Sequence, residues 1–545
     1  MRTLLKFILP AIFAVAAFGG VKSFEEIKDE PKGLAKDYYF YRLLTEGDYT
    51  KEQAQILNKD VFRRAGVLAK KLAEILPPKK VKGNCDSVDV KNILDANVTC
   101  QKQCLRVPFM MKLKKETRQK LADKFKDSDP LLYRRLSSLN EKHPEDEFAK
   151  FNDTDAFLVY FKQSSHKDKF DKIFDANFIN SLAAKKEFHV LANDLIIDKK
   201  SAKFRQNFLA IKETELAGKD AFMLGINAVL LNSPKDAMRF FARAEAAFDR
   251  QDRKDNAAFW LYLLSKNTIY LDKLNQSRDV NIYTLYANEL TGASPAANIV
   301  SPTPTKEKVA DYDIKDPFLW QKTFKMIKEM SAEDAAKHSE TFNTKETLGQ
   351  YAYLMEKASD YKDSYFVMPF ADELEDVNAT RKALLYAIGR QESRFIPAVI
   401  STSYALGMMQ FMPFLANHIG KKELAIPNFD QDDMFDPRLA LKFADHHLNY
   451  LEKYLYHPLF VAYAYNGGIG FTKKMLQRGD LFNEGKYEPF LSMELVPFAE
   501  SRDYGKKVLA NYVIYLRLLR SSTSISTLFE SLKTPGLTDK FRTQG

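Results

Sequence analysis

The sequence predicts an all-α protein built from several domains. Three observations point there. Glycine is sparse, 21 residues in 545, below the average usage of about 7%, which disfavours a turn-rich β fold. Apolar residues recur at helical spacing through most of the chain. Helix-start signals precede those runs. A chain of this length exceeds what one core can organise, so two to four domains are expected. A hydrophobic content of 45% with 13% aromatics excludes global disorder.

The N-terminus opens with a short basic stretch, MRTLLK, followed by 14 mostly apolar residues from Phe7 to Gly20. A membrane span needs ~20. Ala14-Val15-Ala16 and Ala17-Phe18-Gly19 are small-x-small cleavage candidates. Residues 1–19 therefore read as a secretory signal peptide, and the mature protein as exported to a periplasm. No cysteine lies near the cut, so a lipid anchor is not expected, and no later window is apolar enough to span a bilayer. Cys85, Cys100 and Cys104 cluster within 20 residues. In an oxidising compartment they predict one disulfide, Cys85 with Cys100 or with Cys104, and one remaining thiol. No histidine is adjacent, so a zinc site is not expected.

Residues 20–300 read as helix after helix. TKEQ, Thr50 to Gln53, fits a capping box. In SPKDAMRFFARAEAAF, Ser233 stands at an N-cap position, Pro234 in the first turn, and Met238, Phe241, Ala244 and Phe248 recur on one face. DRQDRKD breaks that pattern and NAAFWLYLLSKN begins the next helix. Short helices with polar turns suggest a long α-superhelical domain. No strict repeat period is present, so a formal repeat family is not supported. GASPAANIVSPTPTKEK, Gly292 to Lys308, favours an extended connection. Residues 301–361 then read as a small helical linker domain and residues 362–522 as one compact helical domain. The Ser/Thr-rich tail, 523–545, reads as peripheral. Asn97-Val98-Thr99 and Asn378-Ala379-Thr380 match the glycosylation triplet, which often occurs by chance. His446 and His447 are adjacent, so they cannot share one helix face and do not predict a metal site.

The formal net charge is +10, but the basic residues alternate with acidic ones. This describes a solvated surface with mild attraction to polyanions such as a cell wall. No nucleic-acid motif is present.

The chemistry concentrates near QESRF, Gln391 to Phe395. On a helix Glu392 stands over Ile388 and Leu385, with Gly389 and Phe395 at three residues and Ile396 at four. None of these positions is a lysine or arginine. A carboxyl group in an apolar setting keeps its proton to higher pH. Downstream come Gly407-Met408-Met409-Gln410-Phe411-Met412-Pro413, then Tyr465-Asn466-Gly467-Gly468, then Glu494 to Tyr504, ELVPFAESRDY.

These four elements, in this order over about 120 residues, strongly resemble the catalytic domain of soluble lytic transglycosylases, goose-type-lysozyme-like enzymes that cleave bacterial peptidoglycan. Met408, Gly467 and Ser501 depart mildly from the family's Leu, Ala and Thr. Tyr404 stands where the family usually has Gly, beside Ser401. The resemblance implies a lysozyme-like helical catalytic domain, preceded by a superhelical domain, ring-like in the family, and a small linker domain. It implies Glu392 as a single acid/base that cleaves the bond between N-acetylmuramic acid and N-acetylglucosamine to give 1,6-anhydromuramoyl products. It further implies sugar contacts from Ser401, Gln410 and Met412. Tyr465 with Asn466 would position the reacting group, and Glu494 would hold a sugar or peptide polar group. Glu500 and Arg502 read as an internal ion pair. No cofactor or metal is implied, and the partner is the peptidoglycan glycan strand. The alternatives are a hydrolytic muramidase on the same fold, or a non-catalytic peptidoglycan-binding scaffold. Intact Glu392, Gln410 and Tyr465 weigh against the last.

Overall fold

The computed structural model describes residues 20–77, 83–521 and 523–543. The predicted signal segment lies outside the described residues. The fold is all-α: the only strands among the described residues are two three-residue ones. Among the described residues no helix is long and apolar enough to cross a membrane.

The chain divides into two compact units that interleave the linear order. One comprises Met1–Pro78 with Ile299–Tyr450, the other Lys79–Asn298 with Leu451–Gly545. The expected 20–300 segment therefore contributes to both, as does the expected 362–522 segment. Long-range packing, which linear composition does not encode, draws these boundaries.

In the first unit the helix Leu34–Glu46 packs on Pro317–Glu329, with Tyr39 stacked on Phe318 at 5.5 Å. Arg42, fully buried, makes a paired contact with both carboxylate oxygens of Asp430 at 2.8 Å and approaches Asp432 at 2.9 Å. A buried guanidinium needs this compensation. Tyr38 donates its hydroxyl to Asp432. The Pro/Ser/Thr-rich connection is largely extended, and a short strand ending at Val300 pairs with Asp363–Tyr365.

In the second unit the helices Gly218–Leu230, Pro234–Ala247 and Gln251–Ser265 pack in succession. The predicted start at Pro234 is observed, with Ser233 at the N-cap. Its hydroxyl donates to Asp236 at 2.6 Å and does not accept from a backbone N–H. The buried stripe is Ala237, Phe240, Phe241 and Ala244, which includes Phe240 in place of Met238. Within DRQDRKD the break falls at Asp249 and Arg250, and QDRKD already forms the first turns of Gln251–Ser265. A second cluster of rings surrounds Phe157, with Phe170, Phe174, Phe178 and Phe204 at 5.0–6.0 Å. Cys85 is bonded to Cys100, and Cys104 is the remaining thiol. The tail is not peripheral: Ile525, Phe529, Leu532 and Asp539 are buried, and Glu289 accepts from Ser524 Oγ and from the N–H groups of Ile525 and Ser526.

The two glycosylation-like triplets have a structural use. Asn97 and Asn378 are N-caps whose side chains accept from Cys100 N and Arg381 N at 2.9 Å. His447 is half-buried beside Phe411, its imidazole lowered to about 4 by the burial of the ring. His446 contacts Glu423 at 2.6 Å.

Candidate active site

Glu392 is the penultimate residue of the helix Ala379–Ser393, which starts at the Asn378 cap. Leu385 and Ile388, the positions beneath it, are buried, while Glu392 itself is half-buried. Arg394 (φ 56°) and Phe395 (φ 64°) end the helix in the left-handed region. The Phe395 N–H turns back to Gly389 O at 3.4 Å, and its ring is buried. The two arginines flanking Glu392 in the chain both reach the buried Glu356, Arg390 at 3.7 Å and Arg394 in direct contact.

The residue after Glu392 fixes the loop that follows. Ser393 Oγ donates to Met408 O at 2.7 Å and accepts from Ile396 N–H at 3.2 Å. Gly407 holds φ 75°, and a Cβ there would lie 1.9 Å from Met434 O, so only glycine fits. Gln410, also left-handed, donates its amide to Gly407 O at 2.8 Å and Val399 O at 3.2 Å. Leu406 and Phe411 exchange two backbone bonds across this turn. The Gln410 amide is therefore spent on shaping the loop, and its carbonyl oxygen is the group left to meet a ligand. Met412 is half-buried at the N-cap of Pro413–His418.

Ser401 Oγ accepts from the N–H groups of Ser403 (3.2 Å) and Ala405 (2.9 Å). Its own proton stays free to donate outward. Tyr404 keeps φ 66°, a conformation suited to glycine. It is 6% exposed, held against the rings of Tyr38 and Tyr41 at 5.7 and 5.6 Å. Arg63 adds a bond to Thr402 O at 3.0 Å. The bulky departure from the family pattern is thus absorbed by the helix Leu34–Glu46.

In the second unit, Tyr465 and Asn466 lie half-buried near the end of Pro458–Gly467, which packs on Ala499–Leu518. Asn466 Oδ1 accepts from Ser501 Oγ at 2.7 Å, so serine in place of threonine preserves the bond. Glu494 requires a correction. It is 3% exposed, and Oε1 accepts from Lys506 Nζ (2.6 Å), Asn256 Nδ2 (3.0 Å) and Tyr283 Oη (3.0 Å). Burial opposes its charge, but the Lys506 ammonium, with Arg502 and Asn256, outweighs that and holds the carboxyl below its usual range. A carboxylate so buried and so engaged is not open to a sugar in this structure. The expected Glu500–Arg502 pair is also corrected. Two residues apart on one helix they face different ways: Glu500 is exposed, while Arg502 is buried and donates to Val496 O. Tyr504 is buried.

Sequence reading missed Glu356, the bracing of Tyr404 by Tyr38 and Tyr41, and Lys506 as the partner of Glu494. Each is joined to its target by packing, with no local spacing to announce it.

Residues 370–486 match the family model "Transglycosylase SLT domain". This segment is a transglycosylase SLT domain. It contains Glu392, Ser401, Gln410, Met412, Tyr465 and Asn466, and Glu494 lies just beyond it. The chain is 29% identical over 175 residues to the soluble lytic murein transglycosylase of Escherichia coli K12, covering 31% of this chain and 26% of that protein. It is 33% identical over 133 residues to the corresponding protein of Salmonella typhimurium, covering 24% and 20%. The chain thus aligns with about a quarter or less of the length of these relatives. The fold is also similar to the crystal structure of the 70-kDa soluble lytic transglycosylase of Escherichia coli. There the TM-score is 0.50 at 18% identity, covering 92% of this chain and 82% of that one.

Proposed function

We propose that the protein is a peptidoglycan lytic transglycosylase, exported to the periplasm, with Glu392 as its single acid/base. The observation that carries this is Glu392 itself. It sits at the end of the helix Ala379–Ser393, inside the segment that matches the SLT-domain model, with its following serine bonded to the Gly407–Pro413 loop.

Glycosidic cleavage needs a proton on the leaving oxygen while positive charge develops at the anomeric carbon. Protonated Glu392 supplies it to the oxygen joining N-acetylmuramic acid to N-acetylglucosamine. The substrate's 2-acetamido oxygen supports the anomeric carbon. The resulting carboxylate then takes the proton of the muramoyl C6 hydroxyl, whose oxygen closes on that carbon. The C1–O4 bond breaks, a C1–O6 bond forms, and Glu392 ends protonated as it began. No water is consumed and no second carboxylate is needed. Ser401, through its free O–H, Gln410, through its carbonyl, and Met412 contact the sugars. Tyr465 with Asn466 positions the reacting group. Glu494 acts through Lys506 and Asn256 to hold the framework of its own unit.

The test is the mass of the products released from purified sacculi. Anhydromuropeptides, one water lighter than the hydrolytic products, support the reading. Reducing ends alone would instead make the protein a muramidase.

A further inference from the structure

Phe498 is 57% exposed, although it opens a helix whose remaining length is mostly buried. It is not isolated. Phe471, on the helix Ile469–Leu476, stacks on it with centroids 4.5 Å apart and planes 23° from parallel. The pair has a defined cause in the sequence. At Gly467, where the family has alanine, a Cβ would lie 2.6 Å from Phe471 Cδ1 and 2.9 Å from Ser501 Oγ. The missing methyl is what admits the Phe471 ring. The same Ser501 donates to Asn466 Oδ1 at 2.7 Å, which fixes the amide and turns its two N–H donors away from that bond. Two stacked rings and a half-exposed amide donor thus occupy one patch of the second unit.

We infer that Phe498, Phe471 and Asn466 form a binding subsite for one N-acetylhexosamine residue of the glycan strand. The inference rests on the glycan-cleaving reading above. A sugar ring in the β-linked series presents an apolar C–H face, which suits a wide, exposed aromatic surface. Its acetamido carbonyl is an acceptor for the Asn466 Nδ2 protons. A stacked pair whose outer ring, Phe498, is exposed otherwise leaves apolar surface in water without return. The patch is two rings wide with one donor, the scale of a single sugar and not of a protein interface, which buries about 800 Å² per partner.

The test uses the full chain carrying Glu392→Gln, so that binding is read without turnover. It is titrated calorimetrically with the N-acetylglucosamine tetramer and, separately, with its de-N-acetylated counterpart. Phe498→Leu keeps apolar volume at an exposed position, and its fold is checked by an unchanged melting temperature. It weakens tetramer binding about 5–10-fold, and Phe471→Leu does likewise. Phe498→Trp restores binding, and the de-N-acetylated oligomer binds the parent at least 5-fold more weakly than the tetramer. In the otherwise wild-type chain, Phe498→Leu raises KM for sacculi with kcat unchanged. Unaltered tetramer affinity in both leucine variants would overturn the inference, as would no measurable binding by the parent. Failure of the underlying reading shows elsewhere, as wild-type protein that releases no anhydromuropeptides.

Discussion

At the scale of single residues, the proposed chemistry requires Glu392 to hold a proton in the resting enzyme. Gly407 is the most constrained position of the adjoining loop. Gly407→Ala combines a left-handed backbone with a collision at Met434 O. It should cost about 1–3 kcal/mol or more, read as a lowered melting temperature together with weakened turnover. Such residues are legible in sequence because chemistry and backbone geometry restrict the residue type at the position itself. Glu494 shows the opposite case. Its side chain suggested a ligand contact, but its surroundings decide its role. Asn256 and Tyr283 come from far along the chain, and Lys506 comes from the next helix.

At the scale of elements, capping signals read well because they are local. Thr50 and Gln53 form the expected reciprocal box, and Asn378 starts the Glu392 helix. Helix joins read less well, since QDRKD is polar yet helical, and only packing of the residues after it fixes the start. The helix bearing Tyr465 and Asn466 starts at a histidine cap. His457 Nδ1 accepts from Leu459 N–H at 3.1 Å, while Nε2–H donates to Leu528 O at 3.0 Å. Both nitrogens are engaged in the neutral form, and burial lowers this imidazole to about 3. Its folded pKa lies below the unfolded value of about 6.5. The stability it contributes is therefore full above about 6.5 and is lost as pH falls toward 3, by up to about 1.4 kcal/mol per pH unit. Urea denaturation between pH 7 and 4 should show that slope, with His447 contributing a similar one. His457→Asn, which keeps a cap acceptor without a titrating ring, should flatten it. An unchanged slope in that variant would remove His457 as the cause. In the same unit Lys506→Met leaves the Glu494 carboxylate buried without its cation. It should cost about 3–5 kcal/mol, measured by denaturant unfolding. Pairing it with Glu494→Leu should recover much of the loss.

At the scale of the whole molecule, composition and periodicity disclosed an all-α chain, and the four short motifs disclosed an SLT domain. They did not disclose how distant segments are shared between compact units. Tyr404 makes the point. In the sequence it is an anomaly beside Ser401, whereas in the structure it is a buried ring clasped by Tyr38 and Tyr41, more than 360 residues earlier. The helix Leu34–Glu46 is thus part of what holds the SLT-domain loop, a relation that no local pattern carries. The central claim, that one carboxyl group acts as acid and then base without water, is tested most directly by mass analysis of products from purified sacculi, with wild type beside Glu392→Gln. The account predicts 1,6-anhydromuropeptides from the wild type and a loss of about 10²–10⁴-fold or more in the variant. Reducing-end products alone, or undiminished release by Glu392→Gln, would contradict it.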